Sequence, residues 1–155
     1  MKTVFLFVTA MALASSPAYA DPTCKPVVGS FEAHVVPPPP FGDCLAAFCT
    51  AGRVWGGVQG TYRFNMTTLQ NSGAVPSIFF FTGQSEITLK SDDVVHGTDT
   101  GSLDLGPNAG FASLITFNGG SGDYQNASGQ IRLRGQLDQV EGITAGDYLG
   151  TICKP

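Results

Sequence analysis

Apolar and polar residues alternate along most of this chain with the period of two that is typical of a half-buried β-strand. Residues 27–36 place Phe31 on the apolar face, and residues 53–69 place Tyr62 and Phe64 there. After the first twenty residues, no substantial stretch has the helical period of about 3.6 residues. The pattern therefore predicts an all-β chain of seven or eight strands. Five further alternating runs cover residues 77–90, 93–105, 110–117, 130–138 and 143–153.

Proline and glycine mark where these strands end or bend. The four consecutive prolines of residues 37–40 lack amide donors and end the first strand. A loop is expected from there to about Gly52, with one short helical turn around residues 45–48. Gly56 and Gly57 interrupt the second run and predict a bulge or corner in a curved sheet.

Strands at this spacing fit either a β-sandwich or a closed antiparallel barrel. Glycines inside the predicted strands favour the barrel, because they weaken a flat sheet but permit the sharp coiling that closure requires. The predicted fold is a single closed eight-stranded antiparallel barrel, and a β-sandwich is the alternative. The glycines concerned are Gly57, Gly60, Gly83, Gly97, Gly101, Gly129, Gly135 and Gly150.

The first twenty residues have the composition of a secretory signal peptide. Lys2 supplies a basic start, and residues 4–14 are apolar but too short to cross a bilayer. Residues 18–20 form a small-x-small cleavage site. The alternative is an N-terminal membrane anchor, but no stop-transfer pattern follows. We therefore expect a secreted or periplasmic protein.

Cleavage before Asp21 leaves one domain, residues 21–155. Residues 21–52 are expected to supply the first strand, the proline-rich segment and a disulfide loop of this domain. Residues 53–155 are expected to complete the same β-barrel. A chain of this length buries roughly two-thirds of the surface that it exposes when unfolded.

The charge balance argues against nucleic acid as a partner. Without Lys2, seven basic and twelve acidic side chains remain, which gives a net charge of −5 with neutral histidines. This charge repels a phosphate backbone, and no basic stripe offsets the repulsion. No membrane span is expected after signal cleavage, because no later stretch is long and apolar enough.

The four cysteines all lie in the mature region, and an even count in an exported chain favours disulfides over metal ligands. Three pairings are open. We favour Cys24–Cys153, because chain ends often meet in a closed barrel, with Cys44–Cys49 closing a short loop. The tight Cys-x2-Cys spacing of a zinc site is missing.

Residues 115–129, ITFNGGSGDYQNASG, join two alternating runs through a glycine-rich turn. Glycine adopts positive φ without steric cost, so this segment is predicted to form a barrel corner. A phosphate-binding loop would need a lysine and a helix after it. Together with residues 81–83, 98–105 and 146–152, the segment resembles the signature of allene oxide cyclase-like barrels, the superfamily that includes plant dirigent proteins. The resemblance covers roughly residues 53–153.

This resemblance implies an eight-stranded barrel whose apolar interior guides cyclisation or coupling of a reactive hydrophobic molecule without a cofactor. Members often form dimers or trimers, so a homo-oligomer is among the expected states. No acid or base position of the family aligns with a residue of this chain, and no catalytic assignment carries over. The four prolines and the loop between Cys44 and Cys49 lie outside the shared pattern. We expect them to shape one mouth of the barrel.

One carboxylate falls on an apolar strand face. If Val95 and Leu103 point into the barrel, Asp99 does so too. Burial there would raise its pKa and suit it to proton transfer or to binding a polar ligand group. The alternative places Asp99 near a rim, hydrogen-bonded to turn amides. Asp99 is a weak candidate for a catalytic residue, and whether the protein is an enzyme stays open.

Aromatic side chains on the inner face either line a ligand cavity or simply fill a small barrel. Trp55 falls on the opposite face and is a candidate mouth residue or subunit contact. Asp92 and His96 carry metal-ligating groups, but they are better explained as a solvated turn entering a strand, so no metal and no cofactor are expected. The candidate ligand-binding residues are Tyr62, Phe64, Asp99, Tyr148 and Trp55.

Three functions from different classes follow. The first is a carrier that binds a small hydrophobic ligand, and the second is a structural or interaction module with a filled barrel. The third is a cofactor-independent cyclase or isomerase, or a dirigent-like protein, acting on a hydrophobic substrate. We rank the two non-catalytic functions first, because no acid–base pair emerges from the strand faces. The volume of the barrel interior discriminates among the three.

Overall fold

The computed structural model describes residues 22–107 and 109–155, and it contains eight β-strands and one short 3-10 turn. The predicted signal peptide, residues 1–20, lies outside the described residues. No helix within the described residues is long and apolar enough to cross a membrane. The elements are β1 Thr23–Val35, β2 Cys49–Gly56, β3 Gly60–Asn71, β4 Ile78–Leu89, β5 Val94–Asp104, β6 Gly110–Gly120, a 3-10 turn Gly122–Tyr124, β7 Ser128–Asp138 and β8 Ile143–Lys154.

Each strand pairs antiparallel with the next along the chain, and β8 pairs antiparallel with β1. The closing pair is long, because residues from Thr23 to His34 on β1 face partners on β8. The sheet therefore has no free edge, which removes the unpaired backbone groups of an open sheet. The predicted closed barrel is confirmed over the β-sandwich.

The predicted strand faces are also confirmed. Phe31 and Ala33 on β1 are buried, while Glu32 between them is exposed. On β3, Tyr62 and Phe64 point into the same core. A one-residue error in register would have turned these side chains outward, so the alternation fixes the interior.

The run over residues 53–69 is two strands and not one. Gly56 ends β2 with φ of +107°, a backbone conformation that side-chain-bearing residues rarely adopt, and Gly57 donates a hydrogen bond to the Val28 carbonyl at 2.8 Å. The chain turns there and returns as β3. The sequence pattern missed this hairpin because the alternation continues through the turn.

Two other boundaries differ from expectation. The loop after β1 ends at Phe48 and not near Gly52, because Thr50 on β2 pairs with Val35. Residues 46–48 form bends, and residues 45–48 contain no helical turn. Strand β1 begins at Thr23 rather than at residue 27, since its first residues pair with the end of β8.

Glycines inside the strands allow close approach between neighbours. A Cβ at Gly150 would collide with the Gln130 carbonyl of the adjacent strand, and a Cβ at Gly83 would collide with the Phe64 ring. These strands coil tightly because no side chain stands between them. Gly57 is the exception among the predicted strand glycines, since it lies in the turn between β2 and β3.

The glycine-rich segment after β6 is a barrel corner, as predicted. Gly119 and Gly122 have φ of +143° and +54°, and the 3-10 turn separates β6 from β7. Ser121 binds Val94 twice: its amide donates to the Val94 carbonyl at 2.8 Å, and its hydroxyl accepts from the Val94 amide at 2.9 Å. This turn is joined to the start of β5.

Both predicted disulfides are present. Cys24 on β1 and Cys153 on β8 are direct register partners and form one bridge, which joins the first strand of the barrel to the last. Cys44 and Cys49 form the other bridge, five residues apart. The second bridge closes the loop that precedes β2.

The barrel has two ends, which we call the mouth end and the base end. The mouth end carries the loop of residues 36–48 and the turns that join β3 to β4, β5 to β6 and β7 to β8. The base end carries the other three turns and the Cys24–Cys153 bridge.

Candidate functional site

A small cavity of about 50 Å³ lies inside the mouth half of the barrel. Its walls are mainly aromatic, and the rings of Phe64 and Phe81 meet edge to face with centroids 5.6 Å apart. Phe31 forms part of the cavity wall and contacts the Phe111 ring at a centroid distance of 5.9 Å. The wall includes Phe31, Phe48, Phe64, Met66, Phe81 and Phe111.

The base half of the barrel is filled. Ile87, Val95 and Ile115 are almost completely buried there. The space left between the side chains of this half is about 10 Å³, no more than about one water molecule needs. Of the two alternatives, a filled barrel and a lined cavity, the first therefore describes the base half of the interior and the second describes the mouth half.

Asp99 lies in the middle of β5 and points into the barrel, with 2% of its surface exposed. The alternative position near a rim, with hydrogen bonds from turn amides, is wrong. Asp99 Oδ2 accepts a hydrogen bond from the Ser85 hydroxyl on β4 at 2.8 Å. Its other oxygen, Oδ1, is buried without any hydrogen-bond partner among the described residues. Asp99 also lines the cavity, so a carboxyl oxygen without a partner borders an aromatic space.

Three polar side chains from adjacent strands form a buried row. The Tyr62 hydroxyl on β3 lies 3.1 Å from Ser85 Oγ, and Ser85 in turn binds Asp99. When Asp99 is ionised, Ser85 must donate to it, so Tyr62 must donate to Ser85. All three residues are less than one-tenth exposed.

The environment of Asp99 favours its protonated form. Burial raises the pKa of the Asp99 carboxyl, and the hydroxyls of Ser85 and Ser113 oppose the rise without cancelling it. Ser113 lies close enough to lower this pKa, although it makes no hydrogen bond with Oδ1. The pKa of Tyr62 is also raised, first by burial and then by the negative charge of Asp99. Tyr62 therefore stays a neutral phenol.

The raised pKa has a consequence for stability. Between the ordinary carboxyl pKa of 3.8 and the higher folded-state value, the folded chain binds more protons than the unfolded chain. The contribution of Asp99 to stability is thus fully present below 3.8 and is lost as the pH rises through the folded pKa. At neutral pH this side chain reduces stability, as an unpartnered buried group does.

The disulfide loop borders the cavity. Phe48, directly before Cys49, forms part of the wall, and its carbonyl accepts a hydrogen bond from the Met66 amide at 2.9 Å. An ion pair of 2.7 Å between Arg63 and Asp43 ties the loop to the outside of β3. The expectation that this loop shapes a barrel mouth is confirmed.

The loops and strand ends around the mouth carry exposed apolar side chains, whereas Lys90, Asp92 and Asp123 occupy turns at the base end. The mouth end also carries charged side chains: Asp43 of the disulfide loop pairs with Arg63, and Asp138 and Glu141 lie on the turn between β7 and β8. The exposed apolar residues of the mouth are Phe41, Leu45, Val75, Leu105 and Val140.

Three of the five candidate ligand-binding residues line the cavity together, namely Tyr62, Phe64 and Asp99. Tyr148 does not join them, because its hydroxyl lies in the base half, where it accepts from the Val58 amide at 2.8 Å. It thereby ties β8 to the turn after β2. Trp55 is 47% exposed on the outer face near the base end, away from the mouth.

Sequence reasoning missed two polar members of the site, Ser85 and Ser113. Each stands on the inward face of its strand between apolar residues, Ser85 two residues before Ile87 and Ser113 two residues before Ile115. A small polar residue on an apolar face was the available signal. Both serines lie close to Asp99 only because β4 and β6 flank β5.

The segment from Asp92 to His96 forms a turn that enters β5, as the alternative to a metal site predicted. Asp92 has φ of +66°, and the outward His96 ring nitrogen lies 3.0 Å from the Asn118 side-chain oxygen. Within residues 22–107 and 109–155, no three side chains of His, Cys, Asp or Glu converge as metal ligands do.

Comparisons with protein-family models, with curated proteins and with solved structures find no match to this chain. The arguments about function therefore rest on the barrel and on the geometry of its cavity.

Proposed function

We propose that this β-barrel binds one small, largely apolar molecule at its mouth, with a polar group of that molecule placed against Asp99. The observation that carries the proposal is the unpartnered Oδ1 of a buried carboxyl beside an aromatic cavity. A ligand atom at this position would supply the missing partner. Apolar pockets with a few convergent polar groups are the usual form of small-molecule sites.

The loss of stability caused by burying Asp99 argues against a purely structural barrel. A buried carboxyl oxygen without a partner costs about 1–3 kcal/mol, whereas an apolar side chain at this position would cost nothing of that kind. The base half of the interior is already filled by such side chains. A destabilising group is retained most readily where it serves binding or chemistry.

The size of the cavity limits how the ligand binds. A volume of about 50 Å³ exceeds the roughly 15 Å³ that one water needs, but it is far below that of a lipid. The cavity thus fits the end group of a molecule. The remainder lies in the mouth, against Phe48 and Met66, where the flexible methionine can adapt its shape.

Disulfides form and persist in oxidising compartments, so the two bridges of this chain support its export from the cytoplasm. We propose a secreted or periplasmic location on this ground and on the composition of residues 1–20.

We also propose that the barrel belongs with the allene oxide cyclase-like and dirigent-like proteins. The closed eight-stranded topology and the glycine-rich corner at residues 118–122 support the assignment. The enzymatic candidate, a cofactor-independent cyclase or isomerase, is favoured by one observation, the burial of the Asp99 carboxyl inside the barrel, which raises its pKa. Recovery of a bound molecule unchanged after prolonged incubation identifies a carrier, and conversion identifies an enzyme.

The proposal predicts that the purified chain retains a small apolar molecule. The protein is incubated with a small-molecule extract of the producing cells, separated from unbound material, denatured and analysed by mass spectrometry. We expect at least one compound enriched on the wild-type chain. Ser113→Val should lose this compound, because the larger side chain fills the cavity from β6.

Ser102→Val is the matched control, since Ser102 faces away from the cavity, between Gly101 and Leu103 on β5. It should retain the compound as the wild type does. A wild-type chain that retains nothing more than Ser113→Val contradicts the proposal and leaves a structural or interaction module.

A further inference from the structure

The number of protons in the buried row determines what it offers to a ligand. Tyr62, Ser85 and Asp99 are joined by two hydrogen bonds, and each bond uses one proton. With Asp99 ionised, the row holds two hydroxyl protons, and both are used internally. With Asp99 protonated, the row holds three, and one is left over.

Within the row of Tyr62, Ser85 and Asp99, the surplus proton has two places to go. If Tyr62 donates to Ser85 and Ser85 donates to Asp99 Oδ2, the acid proton sits on Oδ1, which has no partner. If the row runs in the opposite direction, the Tyr62 hydroxyl is left without an acceptor. Both groups line the same cavity, so either arrangement presents one donor to it.

We propose that the row of Tyr62, Ser85 and Asp99 donates a single hydrogen bond to an acceptor oxygen of the ligand. The ligand class is then a small, uncharged, mostly apolar molecule with a carbonyl or ether oxygen at one end. This inference rests on the proposed ligand-binding function and specifies its chemistry. Cationic ligands are excluded from the neutral row because it presents no negative charge.

The surroundings of Asp99 keep this state uncharged. On β4 the facing residues are Gly83 and Ser85, and on β6 they are Ser113 and Ile115. None of these titrates. Tyr62 on β3 is the titratable group of the row besides Asp99, and burial together with the Asp99 charge raises its pKa, so it stays protonated. Burial likewise raises the pKa of Asp99.

Three probes of nearly equal shape test the inference: cyclopentanone, which has an acceptor oxygen, methylenecyclopentane, which has none, and cyclopentylammonium, which is charged. Binding to the folded, disulfide-bonded chain is followed by protein NMR shifts at Ser85, Asp99 and Ser113. At a pH below the Asp99 pKa, we expect the ketone to bind about tenfold more tightly than the hydrocarbon. Above that pKa, ketone affinity should fall by up to tenfold per pH unit until the hydrogen bond is lost.

Asp99→Asn provides the decisive variant. Its carbonyl oxygen accepts the Ser85 hydroxyl, and its amide group then stands where Oδ1 stood and donates at every pH. We expect this variant to bind the ketone at high pH as well as at low pH. Asp99→Leu, which has no donor, should bind ketone and hydrocarbon equally.

The outcomes separate this inference from the proposed function. If none of the probes binds at the cavity, the ligand-binding function itself fails. If ketone and hydrocarbon bind equally well at all pH values, the function survives and the donor role is wrong. Tighter binding of the ammonium than of the ketone at low pH also overturns it, because the row then acts as an acceptor.

Discussion

Replacing Cys24 and Cys153 together by serine lowers the free energy of unfolding by about 5 kcal/mol. The bridge joins residues 129 positions apart, so its loss frees nearly the whole barrel domain in the unfolded state. It also ties β1 to β8, the pair that closes the barrel. Urea denaturation of the oxidised double variant, compared with the wild type, measures the effect.

The Cys44–Cys49 bridge provides the control. It spans only five positions, so replacing both cysteines by serine should cost about 2 kcal/mol on the same chain-entropy relation. The denaturation midpoint should therefore move much less. Equal losses from the two double variants would show that the long bridge does not act by restricting the unfolded chain.

Phe31→Ala lowers the free energy of unfolding by about 3–5 kcal/mol. Phe31 is 2% exposed, and its ring contacts those of Tyr62 and Phe111, with centroids 6.3 and 5.9 Å away. The substitution removes these contacts and leaves a void that joins the existing cavity. Thermal or urea denaturation measures the loss.

Phe80→Ala removes the same number of atoms from the outside of the barrel. Phe80 is 55% exposed on β4, so we expect a loss of about 0.5 kcal/mol or less. A loss at Phe31 no larger than that at Phe80 would mean that the mouth half of the interior is loosely packed around Phe31.

The strand faces were predictable because alternation with a period of two carries over directly into burial. Phe31, Tyr62 and Asp99 were each placed on the correct side of the sheet by counting along their own strands. The long bridge was predictable for a topological reason: closing an eight-stranded antiparallel barrel in chain order brings the first and last strands together.

The hairpin at Gly56 and Gly57 and the partners of Asp99 were not predictable in this way. Apolar alternation continues across the hairpin, so the two glycines predicted a bulge or corner within one strand and not a turn between two strands. The contact between Ser85 and Asp99 depends on the register of β4 against β5, which pairs Ser85 with Gly97 and Gly83 with Asp99. A single strand contains no information about that register.

The division of the interior into a packed base half and a mouth half with a cavity was not predictable from the sequence either. Aromatic residues on inward faces predict either a packed core or a lined cavity, and the choice depends on how side chains from all eight strands meet. Val, Ile and Leu fill the base half, while Gly83 and Gly101 leave room for the rings of Phe64 and Phe81 in the mouth half.

The central claim is that Asp99 holds a proton inside the barrel, and titration of its side-chain carboxyl carbon by ¹³C NMR tests this most directly. The Asp99→Asn spectrum assigns the resonance by its absence. Burial predicts a midpoint above the ordinary value of 3.8. A midpoint at or below 3.8 would show that water, a positive charge or hydrogen-bond donors outweigh burial, and would contradict both the buried donor and the ligand site built on it.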